Sequence, residues 1–357
     1  MSPVSDRLRG WGGVTAMGVA CAVTAALTLL PLAHGGADSA DGGRLVAPHG
    51  TTAVPAKAEK CQDGDAPEAS LPASAATGPI VADMQRRKDG RLIVGVDQNS
   101  YDWGYLDPES NEFEGFDIDI ARAIAKNIYG SEKAVKFQPV STAQRIPALQ
   151  NGTVDIIVRT MTISCDRRED IDFSSAYFKA GQQVLAPKSS DITGYNETLK
   201  GKRVCTATGS SAVQALEGDK TNGAFGAIYW DSANNEGNKP AGQSAADLSV
   251  PNQLDCLVRL QLGLVDAIVT DNSLAAGQAA QDPSVMLKGP PFTTEYYGVA
   301  TKLSKTGDND LVRRINKVLE EYRAGGANSP WMRSYNKWLK TGLPGIAGPP
   351  APTYKTN

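Results

Sequence analysis

Histidine is nearly missing from this chain of 357 residues: there are two, His34 and His49, both ahead of the region whose pattern looks folded. A Ser-His-Asp triad, a Cys-His pair and a His-ligated zinc site are thereby excluded from the folded body. No basic block stands out either, and 36 Lys and Arg face 39 Asp and Glu for a formal charge of −3. That balance argues against nucleic acid as a partner. From Gly35 to Gly78 there is no Phe, Trp or Tyr, and Ala, Gly, Pro, Asp and Ser dominate. Such a stretch buries too little apolar surface to offset its ordering entropy, so 35–79 is expected to be a disordered tether. The tail, 342–357, has a similar composition and is expected to be flexible.

What is present begins with a leader. Arg7 and Arg9 precede an uncharged, mostly apolar run from Trp11 to Ala33. Its length, about 20 residues, suits a membrane-spanning helix as well as an export signal. Residues 1–34 are therefore read as a signal peptide cut near Ala40, an uncleaved anchor, or a lipidation signal at Cys21. In each case the rest of the chain is extracytoplasmic, and the segment is expected to hold it at the cell membrane. Export makes disulfides the default for the remaining cysteines, Cys61, Cys165, Cys205 and Cys256. Four cysteines allow three pairings. Cys205–Cys256 is favoured, because a strand at 202–206 and a helix at 254–262 can pack in one unit, and this leaves Cys61–Cys165.

The middle of the chain alternates strand and helix. RLIVGV (91–96) reads as a buried strand, and FDIDIARAIAKNIY (116–129) as a helix with Ile120, Ile124 and Ile128 on one face. A strand at 135–140, a helix at 143–150 and a strand at 154–158 follow. A second set comprises a strand at 202–206, a helix at 211–216, strands at 247–250 and 266–270 around the helix at 254–262, and a strand at 296–301. Helices at 308–323 and 331–339 close the pattern. NGTVDIIVRTM in the first set is answered by LGLVDAIVTDN in the second. Two such units predict paired α/β lobes facing each other.

The run NGTVDIIVRTMTISCDRREDIDFS (151–174) carries the functional signal. An apolar strand ends in Arg159, Thr160, Thr162 and Ser164, and Cys165-Asp166-Arg167-Arg168-Glu169 then opens a helical turn. Open α/β folds place ligands where a strand's carboxyl end feeds a helix's amino end. Free N–H groups at that helix and the Arg167 guanidinium suit an anion, so the arrangement reads as a carboxylate pocket.

With these blocks in place, the sequence resembles the family-3 solute-binding proteins of ABC importers, the polar amino-acid receptors. Gly115-Phe116-Asp117-Ile118-Asp119-Ile120 matches the family's signature helix. TAQRIPAL (142–149), 151–174, VDAIVTD (265–271) and WMRSYNKWL (331–339) match further blocks in the right order. The extension, with Cys61 answered by Cys165, looks like the glutamate-binding branch of actinomycetes. The resemblance implies a two-lobed periplasmic-binding-protein-like (type II) α/β fold with two crossover strands, near 181–188 and 295–301. Lobe 1 would comprise 80–183 and 296–341, and lobe 2 would comprise 184–295.

The resemblance also implies a ligand set. Arg167 and Thr162 would hold an α-carboxylate, with Thr208, Gly209, Ser210 and Ser211 adding N–H groups and a hydroxyl. Asp271 would take the α-ammonium, although an N-cap role is the commoner use of such a residue. Arg145 would reach the ligand side chain, with Thr142 and Thr160 beside it. Arg159 reads as a second cation, which favours glutamate or aspartate. Asp97 would repel such a ligand; it either pairs with Arg145 or Arg159 or favours an amide ligand, glutamine or asparagine. Tyr101, Trp103 and Tyr105 either cover the ligand stem or plug the lobe edge. Asp117 and Asp119 lie in a first helical turn, where they complement the dipole rather than bind metal. No catalytic residue, cofactor or metal is expected. The expected partners are an amino acid and an ABC permease or membrane signalling protein, with the protein itself a monomer. A dehydratase-like enzyme on the same scaffold is the competing reading.

Overall fold

A computed structural model describes residues 60–219 and 222–356. The leader and the first part of the expected tether lie outside the described residues. Among the described residues no helix is long and apolar enough to cross a membrane.

Lobe 1 opens with the short helix α1 (Pro79–Gln85) and strand β1 (Leu92–Val96). A ribbon of β2 (Asn99–Ser100), β3 (Gly104–Leu106) and β4 (Phe113–Glu114) leads into α2 (Phe116–Tyr129). Gly115 permits that entry: its φ is 124° and a Cβ there would collide with the Trp103 carbonyl oxygen. Ile120, Ile124 and Ile128 are buried, as their spacing predicts, and Gly130 ends the helix in the left-handed conformation. Then come β5 (Val135–Pro139), α3 (Arg145–Gln150), β6 (Ile156–Ile157), α4 (Cys165–Asp170), β7 (Ile171–Phe173) and β8 (Phe178–Ala180).

Lobe 2 holds β9 (Gln182–Pro187), β10 (Val204–Ala207), α5 (Ser211–Gly218), α6 (Ala245–Leu248), β11 (Ser249–Val250) and α7 (Gln253–Gln261). It continues through β12 (Ala267–Asp271), α8 (Asn272–Gln281) and β13 (Val285–Lys288). The chain returns by β14 (Glu295–Tyr297) to β15 (Ala300–Lys302), α9 (Asp310–Arg323) and α10 (Pro330–Trp338).

Two five-stranded sheets result, β5-β1-β6-β15-β7 in lobe 1 and β11-β10-β12-β9-β13 in lobe 2. Strands β5, β1 and β6 are parallel, and the chain just beyond β5 and β6 meets the start of α7, Thr142 N–H donating to the Pro251 carbonyl (3.2 Å) and Arg159 Nη2 to Asn252 Oδ1 (3.3 Å). An antiparallel β8–β14 pair joins the lobes, with Glu295 opposite Ala180. The first crossing is therefore 178–180 rather than 181–188. Gln182–Pro187 is instead buried between β12 and β13, and this burial explains its apolar composition. The expected strand at 296–301 is two strands in two sheets, broken where a Cβ on Gly298 would meet Ile163 at 2.8 Å.

Both cysteine pairs are bonded, Cys205–Cys256 tying β10 to α7 and Cys61–Cys165 tying the extension to α4. Composition marked 35–79 as tether and 342–357 as flexible. From residue 60 onward the extension is packed, and the tail packs with it. Ser70 N–H donates to the Thr353 carbonyl (3.0 Å) and Lys355 N–H to that of Ser70 (2.8 Å). Asn316 Nδ2 donates to Ser70 Oγ (2.9 Å), which donates to the Phe173 carbonyl (2.7 Å). Backbone pairing and a disulfide supply here what apolar burial does not.

Candidate functional site

The cleft is built from strand ends. After β6 the backbone bends at Thr160, whose φ is 41°, a region that non-glycine residues rarely adopt. Asp117, from the first turn of α2, holds the bend: its carboxylate accepts from Thr160 N–H (2.9 Å) and Tyr177 OH (2.8 Å). Burial pushes Asp117 up to about 7, against the lowering effect of those two donors. Dipole complementarity alone did not anticipate this role.

Ser164 caps α4, its hydroxyl accepting from Arg167 N–H (3.3 Å). The buried Arg167 side chain folds back, Nη1 donating to the Thr162 carbonyl (2.7 Å) and Nη2 to that of Gly209 in lobe 2 (3.1 Å). Arg145, first residue of α3, donates through Nε to the Thr142 carbonyl (2.9 Å) and through Nη2 to the same Gly209 oxygen (3.1 Å). Burial, then the charges of Arg167 and Arg159, press Arg145 well below its ordinary value. Two guanidinium groups converging on one oxygen out of water create a strong local demand for negative charge.

Lobe 2 supplies the facing wall. Gly209 has φ 74°, and a Cβ there would lie 3.1 Å from Ala143 Cα across the cleft. Ser211 Oγ, at the start of α5, lies 3.3 Å from Thr162 Oγ1 and accepts from Gln182 Nε2 (3.1 Å). Asp271 occupies the N-cap position of α8 but makes no side-chain cap bond. Its carboxylate accepts instead from Gln182 Nε2 and Tyr297 OH, and Tyr297 OH lies 2.7 Å from Ser273 Oγ. Burial, then Glu295, raises Asp271 to about 7, opposed by Tyr297, Arg167 and Arg145. Gln182 Oε1 and Ser210 Oγ are buried without a partner.

These groups enclose a cavity of about 10 Å³, roughly enough for one water. Of the expected residues, Arg145, Thr160, Thr162, Arg167, Ser210, Ser211 and Asp271 line it. Gln182, Gln253 and Thr270 line it as well and were missed. Gln182 and Gln253 sit just beyond the crossing and at a helix start, where nothing local marks them. A groove of about 680 Å³ elsewhere, between 74–84 and 301–313, is larger. Its acids are already engaged, Asp155 with Arg87, Asp308 with Arg313 and Asp310 with the first N–H groups of α1. It lacks opposed charges aimed at one point, so the cleft is the candidate site.

Several expected residues do not line the cavity. Arg159 is no free second cation: its Nη2 pairs with Asp97 Oδ2 at 2.9 Å, the guanidinium wholly buried and the carboxylate 6% exposed. A guanidinium at zero exposure needs a fixed counter-charge, and Asp97, at the end of the adjacent strand β1, provides it. Arg159 also donates to Thr142 Oγ1 (3.0 Å) and Asn252 Oδ1 (3.3 Å), and Thr142 Oγ1 donates to Gln253 Oε1 (3.2 Å). Thr142 thus braces the wall from behind. Thr208 points away, its hydroxyl 2.7 Å from both Ser232 Oγ and Ser249 Oγ. Trp103 is buried against Phe116, Phe178 and Tyr297 and donates to the Ser273 carbonyl (3.1 Å), so it plugs the lobe junction. Among the described residues no cluster of three or more metal-ligating side chains occurs.

Comparison with known proteins bears on this geometry. The model of bacterial extracellular solute-binding proteins, family 3, matches residues 92–341. The ABC transporter glutamine-binding protein of Bacillus subtilis is 35% identical over 254 residues, 71% of this chain and 83% of that protein. The glutamate-binding protein of Corynebacterium efficiens is 27% identical, over 67% of this chain and 76% of its own. An ancestral arginine-binding protein bound to glutamine superposes with a TM-score of 0.57 at 34% identity, covering 70% of this chain and 98% of that one.

Proposed function

The chain belongs to the family-3 bacterial extracellular solute-binding proteins, and from that premise we propose that its cleft captures a polar amino acid with an uncharged amide side chain, glutamine foremost. The family is one of binding proteins rather than enzymes. Arg167, Thr162 and the N–H groups of 209–211 receive the α-carboxylate, and Asp271 with Gln182 Oε1 receives the α-ammonium. Arg145 and Gln253 are left for the side-chain amide.

The observation that carries this choice is the Asp97–Arg159 pair. It removes Arg159 as a cation for an acidic side chain and leaves Arg145 alone in that place. Arg145 and Arg167 then face Asp271 and Glu295, and a zwitterion adds no net charge to that buried set whereas glutamate adds one negative charge. The 35% identity to a glutamine-binding relative, against 27% to a glutamate-binding one, supports the same reading.

Entry requires the lobes to part, because the cavity is about 10 Å³ and Arg145, Arg167, Arg159 and Thr142 all bond from lobe 1 to lobe 2 around it. The β8–β14 pair is the hinge, and ligand contacts to both walls favour the closed form. By analogy with the relative's description, the closed form is presented to the permease of an ABC importer, with residues 1–34 holding the protein at the membrane.

Isothermal titration with glutamine, asparagine, glutamate, aspartate and arginine tests the ligand. Glutamine is expected to bind at least about tenfold, 1.4 kcal/mol, more tightly than glutamate. Tighter glutamate binding would overturn the amide reading while leaving the family untouched.

A further inference from the structure

The Cys61–Cys165 bond closes on the first residue of α4, two positions before Arg167. That helix has six residues, whereas an isolated helix needs about 12–15 to persist in water. Its pose therefore depends on what grips it. On the cleft side the grip is Arg167 itself, bonded to the Thr162 and Gly209 carbonyls. On the other side Gln150 Nε2 reaches Asp170 Oδ1 at the helix end (3.4 Å), and the grips on its first five residues come from one short segment, 61–66. Arg168 donates through Nη1 to the Ala66 carbonyl (3.1 Å) and lies 3.3 Å from Cys61 Sγ. Its Nη2 pairs with Asp63 at 2.6 Å, and Gln62 Nε2 donates to Glu169 Oε1 (3.0 Å). Asp63 is held in turn by Lys355 Nζ from the tail (3.0 Å).

We propose that segment 61–66 is a brace for the ligand clamp: the Cys61–Cys165 bond and the Arg168–Asp63 pair position Arg167, and thereby set the affinity for the ligand's α-carboxylate. Adjacent arginines have divided the work, Arg167 facing the cleft and Arg168 facing the brace. A guanidinium fork holds a carboxylate through two parallel bonds, so sub-ångström displacement of its helix weakens both together. The brace rests on the amino-acid-binding reading above, and its test separates the two.

Three full-length proteins are compared with the wild type: Cys61→Ala with Cys165→Ala, Cys205→Ala with Cys256→Ala as control, and Arg168→Gln with both disulfides intact. Amide hydrogen exchange across 165–170 is read without ligand, and glutamine affinity by titration. Removing the first pair is expected to speed exchange across 165–170, leave 253–261 unchanged, and weaken glutamine about tenfold. The control is expected to do the reverse to exchange. In an Arg167→Lys background, loss of the brace is expected to change affinity less than about twofold, because the two act through one contact. Unchanged exchange at 165–170, or the same affinity loss in both backgrounds, would overturn the proposal. Should the first double variant not fold, Arg168→Gln carries the same two readouts. A wild type that binds none of the amino acids refutes the functional reading, while the exchange result still decides the brace.

Discussion

At the scale of single residues, the charges are committed before any ligand arrives. Arg159 neutralises Asp97 inside lobe 1, so its removal strands a buried carboxylate. Arg159→Ala is expected to cost about 3–5 kcal/mol of stability in urea unfolding, a loss visible without ligand. Arg167→Ala, whose partners are two carbonyl oxygens, is expected to spare stability by comparison and to abolish binding by titration. The raised carboxyl of Asp271, near 7, has a calculable sign. Ligand ammonium favours the ionised carboxylate, so binding must release the proton that Asp271 carries below pH 7. Affinity should therefore climb as pH rises from 5 to 7, by up to about tenfold per unit, and level off above 7. Titrations in buffers of different ionisation enthalpy read the proton directly; an affinity flat across this range would remove Asp271 from the ammonium role.

At the scale of elements, short segments do the positioning. The two-residue strand β6, the bend at Thr160 and the six-residue α4 bring three ligand-facing groups together only because Asp117 and the extension anchor them. Gly209 is the matching device in lobe 2. Its left-handed φ of 74° disfavours any side chain, and a Cβ there, 3.1 Å from Ala143 Cα, would press on the facing lobe. Gly209→Val is expected to hold the lobes apart, weakening glutamine by well over about tenfold, with lobe-2 amide exchange near wild type as the check. The α2 helix was legible to the residue, because its isoleucines follow the helical period and Gly115 and Gly130 bracket it. The crossing strand was not. Its three residues, Phe178–Ala180, carry no period long enough to read, and the apolar run after it belongs to the lobe-2 sheet.

At the scale of the molecule, two α/β lobes face each other across a polar cleft and share the β8–β14 hinge, with Leu274 and Ala276 of α8 packed into the lobe-1 core. A ligand that touches both walls links their stabilities. At a hundred times its dissociation constant, glutamine is expected to add about 2.7 kcal/mol to the stability of the closed protein. Differential scanning calorimetry should show this as a rise of several degrees in the melting temperature, and arginine at equal concentration should produce less. Small-angle scattering with and without ligand would report the accompanying change in lobe separation.

Much was determined by the amino-acid order alone. The alternation of elements, the repeat of Val-Asp strands, the cation-rich helix start at 165–169 and the even set of cysteines all rest on local patterns, and local patterns follow from backbone geometry and periodic burial. Tertiary structure decided the rest: that Arg159 answers Asp97, that Thr208 turns toward Ser232 and Ser249, that Gln182 and Gln253 face the cavity, and that 60–79 packs. Each of these depends on which groups, distant in sequence, lose water together. A buried charge or hydroxyl takes the nearest partner that can replace its hydration, and that proximity exists only once the chain is folded.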